Sequence, residues 1–423
     1  MRHYKDSGIV WIGKIPEDWK LSRLKFVLRS PIESGKRPNE SEGKILSVGG
    51  EHIQNGNFDL SRPMYVTEST YFVNKGKIQL NDTLVVKDGA TIGKCMYVKS
   101  MPNEKMLLNE HVYRISCSKF YYYWILSEIA QKWFRVRNQS TAQESITGPT
   151  IMNLPILLCS QTEQQRIVDF LDEKCVEIDS LIGLQDQMIE KLKIYKQSVI
   201  SEAVTKGLNP NVLVKRSGID WIKNLPVHWN VITPKALFSL RKEKAKKGER
   251  QLTASQQYGI IYQDEYMQLT GTKIVTVMKD FDILKHVESG DFVISMRSFQ
   301  GGLEYSENTG SISSAYVMLI PNPKYVYPKF YRWLFKSSFY INALQSTSNM
   351  VRDGQAMRYS NFAQVPLYVV PLSEQKEIAS YLDEKCADID RLIDLKQQKI
   401  EKLKDYKKSL IYEAVTGKLN LHY

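Results

Sequence analysis

The chain repeats itself at long range, and no fold that ignores the repeat can be right. Lys5-Asp6-Ser7-Gly8-Ile9-Val10-Trp11-Ile12 returns as Lys215-Arg216-Ser217-Gly218-Ile219-Asp220-Trp221-Ile222, 210 residues later, and the match runs on through Pro16 and Trp19 to Pro226 and Trp229. A second match follows at 211 residues: Leu171-Asp172-Glu173-Lys174-Cys175 with Leu382-Asp383-Glu384-Lys385-Cys386, Ile189-Glu190-Lys191-Leu192-Lys193 with Ile400-Glu401-Lys402-Leu403-Lys404, and Glu202-Ala203-Val204-Thr205 with Glu413-Ala414-Val415-Thr416. A period this long marks a duplicated domain rather than a solenoid. Residues 21–150 and 231–355 share only an outline. Each has an acidic turn before an apolar strand (Asp82 to Val86; Asp291 to Ile294), then an aromatic helix (Tyr121 to Arg135; Phe330 to Leu344) that sets Trp124 and Trp333 at matching places. The order is variable, constant, variable, constant.

The constant segments have helical spacing. Ile167, Leu171, Cys175, Ile178, Ile182, Ile189, Leu192, Val199 and Ala203 follow one another by threes, fours and their sums, as do Ile378, Leu382, Cys386, Ile389, Ile393, Ile400, Leu403, Leu410 and Ala414. That is a coiled-coil stripe flanked by Lys, Glu, Asp and Gln. Thr162 and Ser373 stand where an N-cap belongs, and Gly207 and Gly417 where the helices close. Each helix is about 44 residues, or roughly 65 Å. A single apolar stripe needs a partner, and the best one is its own copy, paired antiparallel across Leu171, Ile178, Ile182, Ile189 and Leu192 against Leu382, Ile389, Ile393, Ile400 and Leu403. Gln185, Lys396, Lys196 and Lys407 on that seam would fix its register. The variable segments read as β-rich, with short strands at Lys44–Val48, Thr83–Val86, His111–Ser116, Ile274–Val277, Phe292–Met296 and Ala315–Ile320. The expected fold is therefore α+β: two mixed α/β, β-rich domains joined by two long helices in an antiparallel coiled coil, duplicated about a pseudo-twofold axis.

The chain has 423 residues, 43% hydrophobic and 25% charged, enough for two or three packed domains. Its formal charge of +12 favours a polyanionic partner. The five cysteines form no C-x-x-C pair or Cys/His cluster, which argues against zinc and fits a reducing compartment. The N-terminal residues lack a signal-peptide core and no apolar run approaches a membrane span, so a cytoplasmic protein without a membrane segment is expected.

Catalytic motifs fail one by one. Gly89-Ala90-Thr91-Ile92-Gly93-Lys94-Cys95 resembles a phosphate-binding loop, but three residues rather than four separate its glycines, and Cys95 stands where a magnesium-holding hydroxyl is needed. Neither Asn209-Pro210-Asn211 nor Pro321-Asn322-Pro323 is the Asn/Asp-Pro-Pro-aromatic clasp of an amino-methyltransferase, and no dinucleotide fingerprint occurs. For metal-dependent cleavage, Asp18-Trp19-Lys20 has the right letters but returns as His228-Trp229-Asn230, while Asp172-Glu173-Lys174 reads as a solvated helix face. The six histidines are scattered. No catalytic residue and no metal site is assigned.

Reading DNA needs Lys and Arg for phosphates and polar side chains for base edges. The first variable segment offers Lys36, Arg37, Lys87, Arg135, Arg137 and Gln139. The second offers Lys244 and Lys246 in the basic run from Arg241, then Arg297, Ser298, Gln300, Arg352, Gln355 and Arg358.

The duplicated pieces, in this order, resemble the DNA-specificity subunits of type I restriction-modification systems over essentially the whole chain. The carriers are Ser-Gly-Ile-x-Trp-Ile-x-x-x-Pro-x-x-Trp from Ser7 and Ser217, Pro155…Glu163-Gln164 and Pro366…Glu374-Gln375, the Leu-Asp-Glu-Lys helices, and the closing Glu202-Ala203-Val204-Thr205-Lys206-Gly207-Leu208-Asn209 and Glu413-Ala414-Val415-Thr416-Gly417-Lys418-Leu419-Asn420. The resemblance implies target recognition domains at 1–160 and 209–371 and conserved spacer helices at 161–208 and 372–423. It implies a bipartite, asymmetric DNA site, with the helices setting the gap. It implies two methylating subunits that use S-adenosylmethionine and nuclease/translocase subunits that use ATP and Mg, with no cofactor in this chain. A different class of function is a scaffold that associates with DNA without sequence preference and assembles through its coiled coil.

Overall fold

The structure is a computed structural model and describes residues 2–37, 43–54, 56–137, 145–274, 283–295, 298–347 and 357–421. Two long helices dominate it, Gln161–Lys206 and Leu372–Val415. Two compact units form, residues 1–185 with 398–423 and residues 186–397, so each unit takes half of each long helix. Both helices begin earlier than the expected caps. Ser160 receives the Glu163 amide on its hydroxyl at 3.2 Å, and the Pro371 carbonyl receives the Gln375 amide at 2.9 Å, which leaves Thr162 and Ser373 inside the helices.

Within each unit the two half-helices run antiparallel. In the first, Lys407 Nζ lies 2.7 Å from Asp179 Oδ1. In the second, Lys196 Nζ lies 2.6 Å from Asp390 Oδ2, Lys396 Nζ lies 3.4 Å from Met188 Sδ, and Lys385 lies over the Tyr195 ring. The two ion pairs are copies of one another at the 211-residue offset. Of the expected seam, Leu171, Ile178, Ile189, Leu382, Ile389, Ile393 and Ile400 are buried, and Ile182, Leu192 and Leu403 half-buried. Gln185 is buried with them. Towards the helix ends the apolar face widens beyond the stripe: Val168, Ile200, Val204, Ile411 and Val415 are buried as well, because there the helices also pack on the strands and short helices of their unit.

Each domain is built on one plan. A four-stranded antiparallel sheet has the order Cys95–Tyr97, Thr83–Val86, Val112–Ile115, Glu33–Ser34 in the first unit and Glu304–Tyr305, Phe292–Ile294, Val317–Pro321, Phe238–Arg241 in the second. The short strands expected at Lys44–Val48, Thr83–Val86 and His111–Ser116 are found as Ile45–Val48, Thr83–Val86 and Val112–Ile115. Phe292–Met296 and Ala315–Ile320 are found as Phe292–Ile294 and Val317–Pro321, while most of Ile274–Val277 lies outside the described residues.

The aromatic helix is two helices in each unit, Lys119–Leu126 then Glu128–Arg137, and Pro328–Phe335 then Ser338–Ser346. The breaks fall at Ser127 and Ser337, whose hydroxyls donate to the Trp124 and Leu334 carbonyls. Trp124 and Trp333 are not equivalent. The Tyr121 and Tyr331 hydroxyls donate to the carbonyls of Leu157 and Tyr368, which fixes a 210-residue offset and pairs Tyr123 with Trp333.

The repeated motifs meet at one tryptophan per unit. Trp19 is fully buried and its indole N–H donates to Glu163 Oε2 at 2.9 Å; Trp229 is fully buried and donates to Glu374 Oε2 at 3.1 Å. The other long helix ends against the same ring. Gly417 (φ 70°) sits so close that a Cβ would stand 2.6 Å from Pro16 and 3.1 Å from Trp19, and Gly207 (φ 75°) would bring one to 2.8 Å from Glu374. The left-handed φ and the close approach both require glycine. The tryptophan is thus gripped by the start of one helix and the end of the other, and its truncation should cost about 3–5 kcal/mol.

Candidate nucleic-acid interface

Antiparallel pairing decides which loops meet. Val112 faces Val86 and Tyr113 faces Ser34, so residues just after Ser34, just after Val86 and just before Val112 gather at one edge of the first sheet. There His111 Nδ1 lies 2.6 Å from Asp88 Oδ1 and Nε2 lies 3.1 Å from Glu110 Oε1. Arg37 Nε lies 3.5 Å from the same Glu110 oxygen, and Lys36 is exposed beside it in the chain. Lys87 is half-buried with its ammonium 5.1 Å from the Tyr113 ring centre, and its carbonyl takes the Ile146 amide at 2.7 Å. Lys36, Arg37 and Lys87 are therefore brought to one place.

Arg135 is exposed and paired with Glu128 at 3.3 Å. The Arg137 side chain and Gln139 lie outside the described residues. Asp88, Glu110 and His111 were not among the expected site residues; a sequence reading that paired the Thr83 and His111 strands antiparallel would have found them. The Gly89–Lys94 segment joins two antiparallel strands and not a strand to a helix, so its likeness to a phosphate loop ends there. Its Lys94 instead donates to Gln54 Oε1 at 2.9 Å, and Gln131 donates to the Gly93 carbonyl at 3.0 Å.

The second sheet presents the same edge with other chemistry. Val317 faces Ile294 and Arg241 faces Met318, which brings Lys244, Ser295 and Tyr316 to the matching end of the second sheet, where Lys36, Val86 and Val112 stand in the first. Lys285 donates from Nζ to the Tyr316 carbonyl at 2.7 Å, and burial pulls its ammonium below the usual lysine range. Lys244, Lys246 and Gln300 are exposed. Ser298 is a correction: it is buried, and its hydroxyl accepts the Ser295 amide at 2.9 Å, so it shapes the turn and offers nothing outward. Arg358 is exposed and caps the helix Tyr359–Gln364. Arg297, Arg352 and Gln355 lie outside the described residues.

At the other end of each central strand lies a buried aspartate that an arginine meets. Arg241 holds Asp291 through Nε at 2.6 Å and Nη2 at 3.0 Å, which raises the guanidinium further above its ordinary value. This takes Arg241 out of the basic loop it begins and into the core of the sheet. In the first unit Asp82 is met at 3.8 Å by Arg114, which also donates to Ser30 and to the Lys77 carbonyl. Burial raises the Asp82 carboxyl above the usual range, against the amide of Gln79 and the charge of Arg114.

The acid of Asp172-Glu173-Lys174 is not on a solvated face. Asp172 accepts the Tyr123 hydroxyl at 2.6 Å and pairs with Lys119, whereas Lys174 pairs with Glu177 at 2.9 Å on the helix surface. Among the described residues no group of three His, Cys, Asp or Glu is placed to hold a metal ion, and no helix is long and apolar enough to cross a membrane.

The architecture defines a class: one helical frame carrying two domains of the same plan and unlike edges. The sequence profile of the type I restriction modification DNA specificity domain matches residues 16–193 and again 226–405. The chain belongs to that family, as its duplicated motifs led one to expect. It is 22% identical over 447 aligned positions to the MjaVIII type I restriction enzyme specificity subunit of Methanocaldococcus jannaschii, covering 100% of this chain and 98% of that one. It is 23% identical over 450 positions to the putative MjaX specificity subunit of the same organism, covering 100% and 99%. Its fold is similar to a chain solved in work on assembly and conformational transition of the type I R-M system (TM-score 0.69, 15% identity, 96% of this chain and 99% of that one). It is also similar to the HsdS subunit from Thermoanaerobacter tengcongensis (TM-score 0.52, 15% identity, 96% and 98%).

Proposed function

We propose that this chain reads a bipartite, asymmetric duplex, each recognition domain reading one half, and directs partner subunits to methylate or cleave the DNA that carries it. The observation that supports this best is one sheet plan built twice with different side chains on the same edge. Two identical readers would suit a palindrome; two unlike readers suit a split, asymmetric site. The net charge of +12 supplies the phosphate attraction. Chemistry then belongs to the partners, which would bring S-adenosylmethionine, ATP and Mg.

A repeated apolar set supports two copies of one docking partner. The first unit exposes Leu181, Leu184 and Tyr406, and the second exposes their 211-residue counterparts Leu392, Leu395 and Tyr195. Exposed apolar side chains kept in both copies fit a docking surface for the methylating subunit.

The test is a fluorescence competition between selected and random duplexes with the methylating subunit present. Equal affinity for all sequences would leave only a scaffold. Replacing residues 231–355 by another such domain should change one half of the methylated site and leave the other unchanged.

A further inference from the structure

We infer that Asp172 and Asp383 are positioning residues: each locks its recognition domain to its helix at a second point and so sets which gap between half-sites the chain accepts. This rests on the two-half reading proposed above.

Each long helix first grips its domain in its opening turn, with the same chemistry in both copies. Glu163 and Glu374 take the tryptophan indoles. Gln164 Oε1 accepts the Ser118 hydroxyl at 3.0 Å and Gln375 Oε1 accepts the Tyr327 amide at 2.7 Å, and both donors are the capping residues of the aromatic helices. Beyond that turn the helix meets its domain through apolar packing (Leu171 and Cys175; Leu382 and Cys386), which is non-directional and sets the angle of the domain less sharply than a directed polar contact does. Nine residues on, about 13 Å along the axis, comes the second attachment. Asp172 takes the Tyr123 hydroxyl and pairs with Lys119. Asp383 Oδ1 takes the Trp333 indole at 2.8 Å and Arg332 at 2.6 Å.

The second attachment has been built with different parts. At the 210-residue offset Tyr123 matches Trp333, but Lys119 matches Lys329 and Arg332 matches Tyr122. The acid and the aromatic donor keep their places while the cation has moved along its helix and still reaches the acid. A chance surface contact would not be rebuilt this way. Burial and Asp172 hold the Tyr123 phenol far above the usual tyrosine range, so it stays a donor. The cation reaches outward too. Lys119 lies over the Tyr97 ring at 5.0 Å, and Arg332 pairs with Glu307 at 3.4 Å. Tyr97 ends the outer strand of its sheet and Glu307 follows the outer strand of the other. In both units the helix acid is thus tied, through one cation, to the sheet whose edge carries the candidate reading residues.

Lengthening a gap by one base pair moves a half-site about 3.4 Å and turns it about 35°, more than side-chain slack absorbs when the domain is held at two points. The experiment uses the full chain in complex with its methylating subunits. A bipartite duplex is first selected from a randomised pool by the wild type, then remade with the gap one base pair longer or shorter and with one half-site scrambled. The wild type should prefer its own gap by about tenfold or more. The double variant D172A/D383A should prefer it by about threefold or less, with single-half-site affinity within about threefold of wild type. Tyr123→Phe, which removes one hydroxyl, keeps the test open if the double variant folds poorly; it should relax the gap preference part of the way. Unchanged gap preference, or an equal loss on every duplex as a purely structural role would give, overturns the inference. A wild type with no gap preference at all overturns the two-half reading and this inference with it.

Discussion

At matching edges of matching sheets the two units carry different chemistry. The first gathers Asp88, Glu110 and His111 beside Arg37; the second gathers Lys244, Lys285 and Tyr316. The contrast continues at the other end of the same strands. Asp82 and Asp291 hold equivalent places, each taking the amide three residues before it (Gln79 at 2.8 Å, Glu288 at 2.9 Å), yet the arginine comes from the Val112 strand in one unit and from the Phe238 strand in the other. Duplication kept the backbone plan and the buried acid, while the side chains that answer it were chosen separately. Contacts to bases therefore cannot be transferred from one unit to the other.

The largest expected difference between the units lies in those arginines. Arg241→Ala strips a buried carboxylate of a two-pronged partner and should cost the second unit about 3–5 kcal/mol. Arg114→Ala should cost the first unit about 1–3 kcal/mol, because its carboxyl partner is already drawn toward protonation and can neutralise itself. Hydrogen exchange read separately for each unit during urea unfolding decides this. Equal costs would mean that the two arginines do the same work after all.

Next comes the candidate reading edge. His111→Ala or Asp88→Asn should weaken or relax recognition of one half of the target by about 1–3 kcal/mol and leave the other half untouched. Methylation mapping before and after substitution is the measurement. A change in both halves would break the assignment of one reader to one half.

The frame was far more legible in the sequence than the edges. Helix spacing, the opening tryptophan motif and the closing glycines are local patterns that the 210–211-residue repeat reinforces, and they fold where they were expected. What escaped was set by tertiary pairing. His111 is one scattered histidine until strand register brings Asp88 beside it. Asp172 looks like any helix-surface acid until Tyr123 arrives from 49 residues away. The break at Ser127 and Ser337 hides inside a continuous aromatic run, and pairing one tryptophan with the other put the match one residue off, at Trp124 instead of Tyr123. Ser298 had the composition of a reader and the environment of a turn.

A subtler contrast is in pH. The Asp82 carboxyl binds its proton more tightly folded than unfolded. Between the ordinary carboxylate range and the raised folded value the native state thus holds more protons. Stability from this group is then greatest below that window, falls as pH rises through it, and is flat above. Arg241 stays charged throughout and adds no such slope. Asp82→Asn should flatten the pH dependence of the first unit alone, measured by urea unfolding between acid and neutral pH; a variant with the wild-type slope would remove Asp82 as its source.

The smallest effect tests what the units share. Lys407–Asp179 and Lys196–Asp390 are copies in near-identical settings, with lysine side chains 25% and 23% exposed and aspartates 55% and 54%. Half-exposed pairs of this kind contribute about 0.2–1 kcal/mol, and the similarity of setting demands that the two double-mutant cycles agree within about 0.5 kcal/mol. Exchanging the charges, Lys196→Asp with Asp390→Lys, should restore most of what either single change loses, since the antiparallel register holds the two positions opposite each other. If one cycle gave a coupling and the other none, the helical frame would differ between the units as the sheet edges do, and the duplication would have preserved a sequence pattern without preserving its energetics.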